Sequence, residues 1–416
     1  MIRGKRILLM VVMFIGMLQL SFGQRHEIFN DRISSLQVTV GGNWMAMPVM
    51  NMSNLSPLFI DFDDMTHEYH RYVYRIEHCE ADWSLSEELF TSDYIEGFND
   101  GIAIDNLEES LNTNVLYTHY HLQIPNDKCR LKLSGNYRVT VYDEDNDNEI
   151  MFVAYFMVVD PIIGVALSVT TNTDAGINNA YQQVGMEIKY GSINVTDPRQ
   201  QIKTVVMQNG RWDNARINVN SQYTMSNGLR WDHCRDYIFL AGNEYRKFEM
   251  LDVTHTTMGM ESLDWDGHEY HAYIFPDEPR PNYIYDEDAN GAFCIRNSDY
   301  YEVNRLCEYL QVHFQLKAPK QNGDVYLNAD WTYDMFFPQY KMEYNEVNKT
   351  YEGVVQLKQG YYSYQYLLMK PDGTLIPMPS EGSFFQTENK YQALVYFRGQ
   401  GERTDRLLGF TEVSTK

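Results

Sequence analysis

The segment YRIEHCEADWS, residues 74–84, decides how the chain is interpreted, because it joins a strand pattern to chemically active residues. Tyr74, Ile76 and His78 occupy every second position, which is the period of a β-strand with one buried face. The same segment offers possible metal ligands or catalytic groups, namely His78, Cys79, Glu80 and Asp82.

The spacing of these polar residues argues against a metal site. Zinc sites use four ligands, often in pairs such as CxxC or HxxxH, and the segment contains neither pair. We therefore predict a strand that ends near Cys79, with Glu80 and Asp82 in the following turn and Trp83 packed over the core. No catalytic or metal role is predicted for the segment.

The rest of the chain repeats this pattern in short alternating runs. The 416 residues include 32 Tyr, 20 Phe and 6 Trp, and Asn, Asp, Gly and Pro separate the runs. Many short strands joined by polar turns are typical of β-sandwiches. We predict an all-β chain of tandem immunoglobulin-like or early-set β-sandwich domains with little helix. The predicted division is a signal peptide at 1–23 and sandwich domains at 24–160, 161–308 and 309–416.

The amino terminus has the pattern of a cleavable export signal. Three basic residues precede the uncharged apolar run 7–20, and the small residues Ser21 and Gly23 stand before Gln24. The run is shorter than the ~20 residues that span a membrane as a helix. We therefore predict export with cleavage after Gly23.

The composition is strongly acidic, with a formal net charge of −23 that loss of the basic signal makes still more negative. Such a surface repels phosphate backbones and anionic lipid, so nucleic acid is not an expected partner. An acidic surface fits docking to a basic partner, and it equally fits a face that is only solvated.

Histidines suggest two further metal sites, each with a simpler interpretation. His119 and His121 share one face of a predicted strand, but the sequence names no third ligand. The sequence HEYH occurs at 67–70 and again at 268–271. Its two histidines diverge on a strand, and the HExxH motif is absent. Coincidence is the simpler explanation of the repeat.

Acidic residues give no catalytic motif either. Asp143, Asp145 and Asp147 resemble the first ligands of a calcium loop, but the Gly at its sixth position and the Glu at its twelfth are missing. The segment 143–149 therefore predicts a charged hairpin turn. We find no GxSxG, no GxxxxGK[ST] and no GxGxxG after a strand, so we expect no enzyme.

The five cysteines do not form a disulfide framework. An exported chain can form disulfides, but an odd number leaves one cysteine unpaired, and no dense spacing is present. We predict mostly reduced, buried thiols and leave the pairing open for Cys79, Cys129, Cys234, Cys294 and Cys307.

Seven motifs occur in order within residues 28–160. They are YRIEHCEADW (74–83), YIEGF (94–98), SLNT (110–113), YTHY (117–120), LQIPN (122–126), SGNY (134–137) and FMVV (156–159). Together they resemble the first domain of the type IX secretion system plug proteins of Bacteroidetes. Position 80 is Glu where the family pattern has Asp. The motif QNGRW at 208–212 continues the resemblance beyond the first domain.

The resemblance implies a non-enzymatic periplasmic subunit, peripheral to the outer membrane. It implies that the protein closes the periplasmic opening of the outer-membrane translocon barrel, and that it is monomeric within a hetero-complex. Neither a cofactor nor a membrane span of its own is expected. The shared motifs look structural, so the residues that contact the barrel stay unknown.

The C-terminal region supports an alternative function. The segments 325–331 and 360–366 resemble the early-set, glycogen-binding type of immunoglobulin-like domain. Sugar binding would need exposed aromatic rings, which Trp331, Tyr333 and Tyr340 could supply. The alternative is an exported glycan-binding protein that acts through this domain.

Overall fold

The computed structural model describes residues 25–54 and 56–415, and its architecture is all-β. Strands make up 47% of the structure and helices 7%, which confirms the predicted fold class. The predicted signal peptide lies outside the described residues. Within those residues, none of the helices has the length and apolar character needed to cross a membrane.

The first group of strands, which we call the first unit, is a two-sheet sandwich. A six-stranded sheet in the order β1-β12-β11-β5-β7, with β3 beside β12, shares one core with the four-stranded sheet β2-β4-β9-β8. The strands are β1 (Glu27–Ile28), β2 (Ile33–Val40), β3 (Val49–Asn51), β4 (Leu58–Asp64), β5 (Tyr72–Cys79), β6 (Ile95–Gly97), β7 (Ile102–Ala103), β8 (Leu107–Glu109), β9 (Thr118–Ile124), β10 (Cys129–Leu131), β11 (Gly135–Asp143) and β12 (Glu149–Val159).

The second unit begins with nine strands. Its first sheet has the order β13-β16-β20-β19, with β21 beside β16. The strands are β13 (Gly164–Thr170), β14 (Asn172–Thr173), β15 (Gly176–Ile177), β16 (Tyr181–Lys189), β17 (Ile202–Gln208), β18 (Arg216–Ile217), β19 (Tyr223–Met225), β20 (Gly228–Trp231) and β21 (Ile238–Leu240).

The third unit is one continuous ten-stranded sheet around its own core. The order is β22-β30-β27-β28-β29-β26-β24-β23, with β25 and β31 beside β30. The rings of Phe248 and Phe314 lie 5.5 Å apart, which joins strands far apart in that order. The strands are β22 (Arg246–Met250), β23 (Met260–Trp265), β24 (Tyr270–Ile274), β25 (Phe293–Ile295), β26 (Tyr309–Lys317), β27 (Asp324–Asn328), β28 (Lys341–Asn345), β29 (Thr350–Lys358), β30 (Gly360–Met369) and β31 (Leu375–Pro377).

The chain then returns to the second unit through β32 (Lys390–Phe397) and β33 (Arg406–Ser414). These strands complete a second sheet, β18-β17-β32-β33, whose residues share a core with β16. The helices are short. They are the α-helices α1 (Thr91–Tyr94), α2 (Pro198–Gln201) and α3 (Val303–Leu306), and the 3-10 helices Trp212–Asn214, Arg235–Tyr237, Asp330–Thr332, Pro338–Tyr340 and Pro379–Glu381.

Strand pairing bears on the domain boundaries. We propose to keep the predicted boundary at 160/161, whereas the pairing of β24 with β26 runs across the predicted boundary at 308/309. Likewise, β17 pairs with β32 across almost 200 residues of chain. We therefore propose a third domain, near residues 246–377, inserted into a second domain made of 161–240 and 390–415. Local sequence patterns reveal strands but not such distant partners.

Buried tyrosines explain the aromatic composition. In the first unit Tyr72, Tyr74 and Tyr137 are fully buried. Their rings fill the core, and their hydroxyls still find partners: Tyr72 donates to Asp64 Oδ2 at 2.6 Å, and Tyr137 to the Leu133 carbonyl at 2.7 Å. Tyrosine can therefore fill a core without leaving its polar end unpaired.

Candidate functional site

The segment 74–84 lies at the centre of the first unit. Its strand β5 pairs with β11 on one side and β7 on the other, and it ends at Cys79 as predicted. Tyr74, Ile76 and His78 are buried, while Arg75 between them is exposed, which confirms the alternation. The polar residues that follow β5 turn toward the second unit.

Glu80 makes the main polar contact between these units, which we call the first junction (residues 78–86 with 398–405). Its carboxylate pairs with Arg398 at 2.6 Å and accepts from the Asp405 backbone N–H at 2.9 Å and from Thr404 Oγ1 at 3.0 Å. The Ala81 backbone N–H donates in return to Asp405 Oδ2 at 3.0 Å. Glu80 therefore fixes the orientation of two units and does not form a metal site.

Asp405 is itself almost fully buried, so its charge requires partners. Lys203 supplies one at 2.7 Å, from β17 of the second unit. Taken in the order Glu80, Arg398, Asp405 and Lys203, neighbouring residues carry opposite charges. The charges around the first junction therefore form a paired network.

His78 is a core histidine. Its Nδ1 lies 2.8 Å from Ser86 Oγ, and its Nε2 lies 3.3 Å from the Ser134 carbonyl. Burial lowers the pKa of His78 to about 4, so the ring is neutral at pH 7. A side chain at Gly135, whose φ is +148°, would place its Cβ 2.3 Å from His78 Nε2. The close packing leaves no room for a ligand there.

Trp83 corrects one expectation. It does not pack over the core of the first sandwich but lies between the first and second units, at right angles to Tyr155 (5.4 Å) and Trp212 (5.5 Å). Its φ of +67° is rare for a bulky residue. The prediction was wrong because the sequence does not show that a second unit covers this turn.

A second junction joins the first unit to the third around Asp63. The buried Asp63 carboxylate accepts from Lys358 Nζ at 2.6 Å, from Tyr309 OH at 2.7 Å and from His119 Nδ1 at 2.7 Å. Lys358 Nζ also lies 3.9 Å from the centre of the Tyr117 ring. Burial alone would raise the pKa of Asp63, but Lys358 and His119 hold it below its ordinary value.

The predicted pair His119 and His121 belongs to this second junction. His121 Nδ1 lies 2.6 Å from Asp61 Oδ1, and His119 Nε2 lies 3.5 Å from the same oxygen. Burial disfavours charge on His119, yet Asp61 and Asp63 together raise its pKa above the ordinary value. Each histidine therefore meets carboxylates of the neighbouring strand β4 at hydrogen-bonding or ion-pair distance.

A central cavity of about 160 Å³ lies where all three units meet. Trp83 and Trp44 line it from the first unit, Trp212 and Lys390 from the second, and Asp330 from the third. The Asp330 side chain is exposed to solvent. The cavity thus combines aromatic walls with an exposed carboxylate.

The acidic turn and the HEYH segments, considered above as possible metal sites, contact neighbouring protein groups. Asp143 is buried and pairs with Arg32 at 3.1 Å and with His70 at 3.2 Å, at the start of the β11–β12 turn. This confirms the charged hairpin. In the first HEYH, His67 Nδ1 lies 3.0 Å from the Tyr117 carbonyl. In the second HEYH segment, Glu269 and His271 lie close to Asp266, a grouping that the sequence pattern does not reveal.

All five cysteines are free thiols, and the four other than Cys294 are buried.

Trp331 and Tyr340, two of the rings considered for sugar binding, are buried, and the Trp331 indole donates to the Ser363 carbonyl at 3.1 Å. Tyr333 is half-buried and donates to the Leu36 carbonyl at 3.0 Å. Trp331 and Tyr340 therefore offer no exposed face for stacking on a glycan, which leaves the half-buried Tyr333 as the one partly accessible ring of the three.

Sequence reasoning missed the charged partners from distant segments, namely Asp63, Lys203, Lys358, Arg398 and Asp405. One signal was available. In LFIDFDD (58–64) acids alternate with large apolar residues. Charges inside so apolar a strand predict a buried partner. The identity of that partner depends on the tertiary fold.

Comparisons with known proteins agree with the first unit. A family model described as type 9 secretion system plug protein 1st domain matches residues 33–160. A crystal structure described as a hypothetical protein from Parabacteroides merdae ATCC 43184 is 36% identical in sequence, with a TM-score of 0.91. The match covers 94% of this chain and 100% of that one. No curated protein matches.

Proposed function

We propose that this chain, which belongs to the family of type 9 secretion system plug proteins through residues 33–160, closes the periplasmic opening of an outer-membrane translocon barrel. Family membership indicates a role associated with this secretion system and a place in the periplasm or cell envelope. The plug role and the barrel as partner go beyond family membership and are our proposal.

The rigidity of the body supports this proposal. A plug must hold one shape against a wide aqueous opening, and charge networks join the first unit to both others, partly exposed around Glu80 and buried around Asp63. Glu80 and Asp405 join it to the second unit, and Asp63 and Lys358 join it to the third. Contacts of this kind specify relative orientation, because a shifted unit would leave a buried charge unpaired.

The acidic charge supports a docking contact that can be released. A net charge of −23 favours association with a basic rim and attraction from a distance. Such contacts weaken as salt rises, because counterions screen exposed charges beyond about 10 Å at 0.1 M. We therefore propose a non-enzymatic, periplasmic subunit that is monomeric within a hetero-complex. The chain's family match, rather than its charge, carries the proposal.

The test is co-purification with the barrel from detergent-solubilised outer membranes, combined with a permeability assay. Tagged chain should recover the barrel at low salt and less of it at high salt. Deletion of its gene should make the outer membrane leak a large hydrophilic dye. A chain that stays wholly monomeric, together with unchanged permeability after deletion, would reject the proposal.

A further inference from the structure

We propose a divalent transition-metal site on the third unit, formed by Asp266, Glu269 and His271, which goes beyond the proposed plug role. One ligand atom from each residue lies within 4.8 Å of those of the other two. His271 belongs to β24, and the two acids belong to the turn that joins β23 to β24. A single imidazole with two carboxylates is a donor set that suits Zn²⁺ and similar first-row ions.

The neighbouring strand orients this group. In the parallel pairing of β24 with β26, His271 lies opposite Gln311, and His313 follows two positions later on the same face. His271 Nδ1 lies 2.9 Å from His313 Nε2, and Gln311 donates to Glu269 Oε2 at 2.8 Å. Metal ligands are usually held in place by such outer hydrogen bonds, which fix the ring nitrogen or oxygen that faces the ion.

The opposite atoms of Asp266 and His271 face each other, and an ion would take the place of their direct contact. With Nδ1 of His271 engaged, Nε2 is the nitrogen that faces the acids, and it lies 3.3 Å from Asp266 Oδ2. Asp266 Oδ1 accepts from the His268 and Glu269 backbone N–H groups at 2.7 and 2.9 Å. Asp266 and His271 are thus each held at one atom by an outer hydrogen bond and turn the other atom toward each other, while Gln311 holds Glu269 at Oε2.

The position of the group adds two features. The ring of Tyr273 stacks on His313 with centres 4.3 Å apart, so the orienting imidazole is itself held in place. The Asp266 side chain is 46% exposed and His271 is 20% exposed, so an ion can enter from solvent. Three protein ligands leave at least one coordination position for water or for a side chain of another molecule.

The test uses untagged mature protein, stripped of metal with chelator, and Zn²⁺ in isothermal titration calorimetry. We expect about one equivalent with micromolar affinity, and visible absorption bands when Co²⁺ replaces Zn²⁺. The substitution Asp266→Asn keeps the oxygen that caps the turn, and His271→Gln keeps the size of the side chain. Each should weaken binding at least ~100-fold.

Two further variants separate a built site from a merely acidic surface. His313→Gln should weaken Zn²⁺ binding by about 10-fold or more and shift the Co²⁺ bands, because His313 is a positioning residue. His255→Gln is the matched control, since His255 also lies beside an acid, 3.7 Å from Asp252, but on a different turn. It should leave binding unchanged. Absence of Zn²⁺ binding below 100 µM, or equal binding by the His271→Gln variant, would overturn the proposal.

Discussion

Replacing Lys358 with Met tests whether the second junction holds the first and third units in place. The Lys358–Asp63 pair is 2.6 Å long, and its side chains are only 2% and 1% exposed. Removing one member of such a pair leaves a buried charge and costs about 3–5 kcal/mol. Because Asp63 keeps hydrogen bonds from Tyr309 and His119, we expect a loss near the lower end.

A second ion pair supplies the control. Lys320 and Glu346 are also 2.6 Å apart, but their side chains are 62% and 59% exposed. Lys320→Met should therefore cost no more than ~1 kcal/mol. The two substitutions are chemically identical, and the sites differ in burial and in the additional contacts of Lys358 with the Tyr117 ring and the Asn304 carbonyl. The Asp63→Asn/Lys358→Met double variant removes both charges and should recover part of the stability lost by Lys358→Met alone.

Native-state hydrogen exchange is the appropriate measurement, because a chain of several units need not unfold in one step. A loss of about 3 kcal/mol should raise exchange of the β4 and β9 amides by roughly 100-fold in Lys358→Met, since each 1.4 kcal/mol is a factor of ten. Equal effects of Lys358→Met and Lys320→Met would refute the reasoning. So would a double variant no more protected than the single one.

Two further predictions concern protonation and packing. His119 has a raised pKa in the folded protein, so its stabilising contacts with Asp61 and Asp63 are complete below pH 6.5 and are lost as pH rises through the folded pKa. Thermal melts from pH 5 to 9 should show this decline in wild type and not in His119→Gln. Gly135→Ala would place a methyl group 2.3 Å from the His78 ring and should lower the melting temperature by several degrees, whereas a neutral effect would show that β11 can move.

Local patterns predicted the fold class well but not how the units are connected. The alternation in β5 follows from one buried face and is visible in any short window. The pairing of β17 with β32 depends on residues almost 200 positions apart, so no window contains it. For the same reason Trp83 was assigned to the nearer core, although Trp212 of the second unit is its partner. The sequence left Trp331 open between a core position and a sugar-binding face, because an aromatic strand pattern fits both equally well.

The segment 74–84 carries the family resemblance, and the structure gives that fact a physical meaning. Its apolar half builds β5, while its polar half leaves the sandwich and binds the second unit through Glu80 and Trp83. Opening this junction would separate Glu80 from Arg398 and would remove the Ala81 hydrogen bond from Asp405, which keeps its pairing with Lys203 inside the second unit. A body joined in this way moves as one piece, because separating its units would cost the desolvated charges their partners. If the chain is the plug that we propose, release then proceeds by displacement of the whole protein from the barrel rather than by opening between its domains. A crosslink across the first junction should therefore leave secretion intact, whereas a plug that opens internally would be blocked by it.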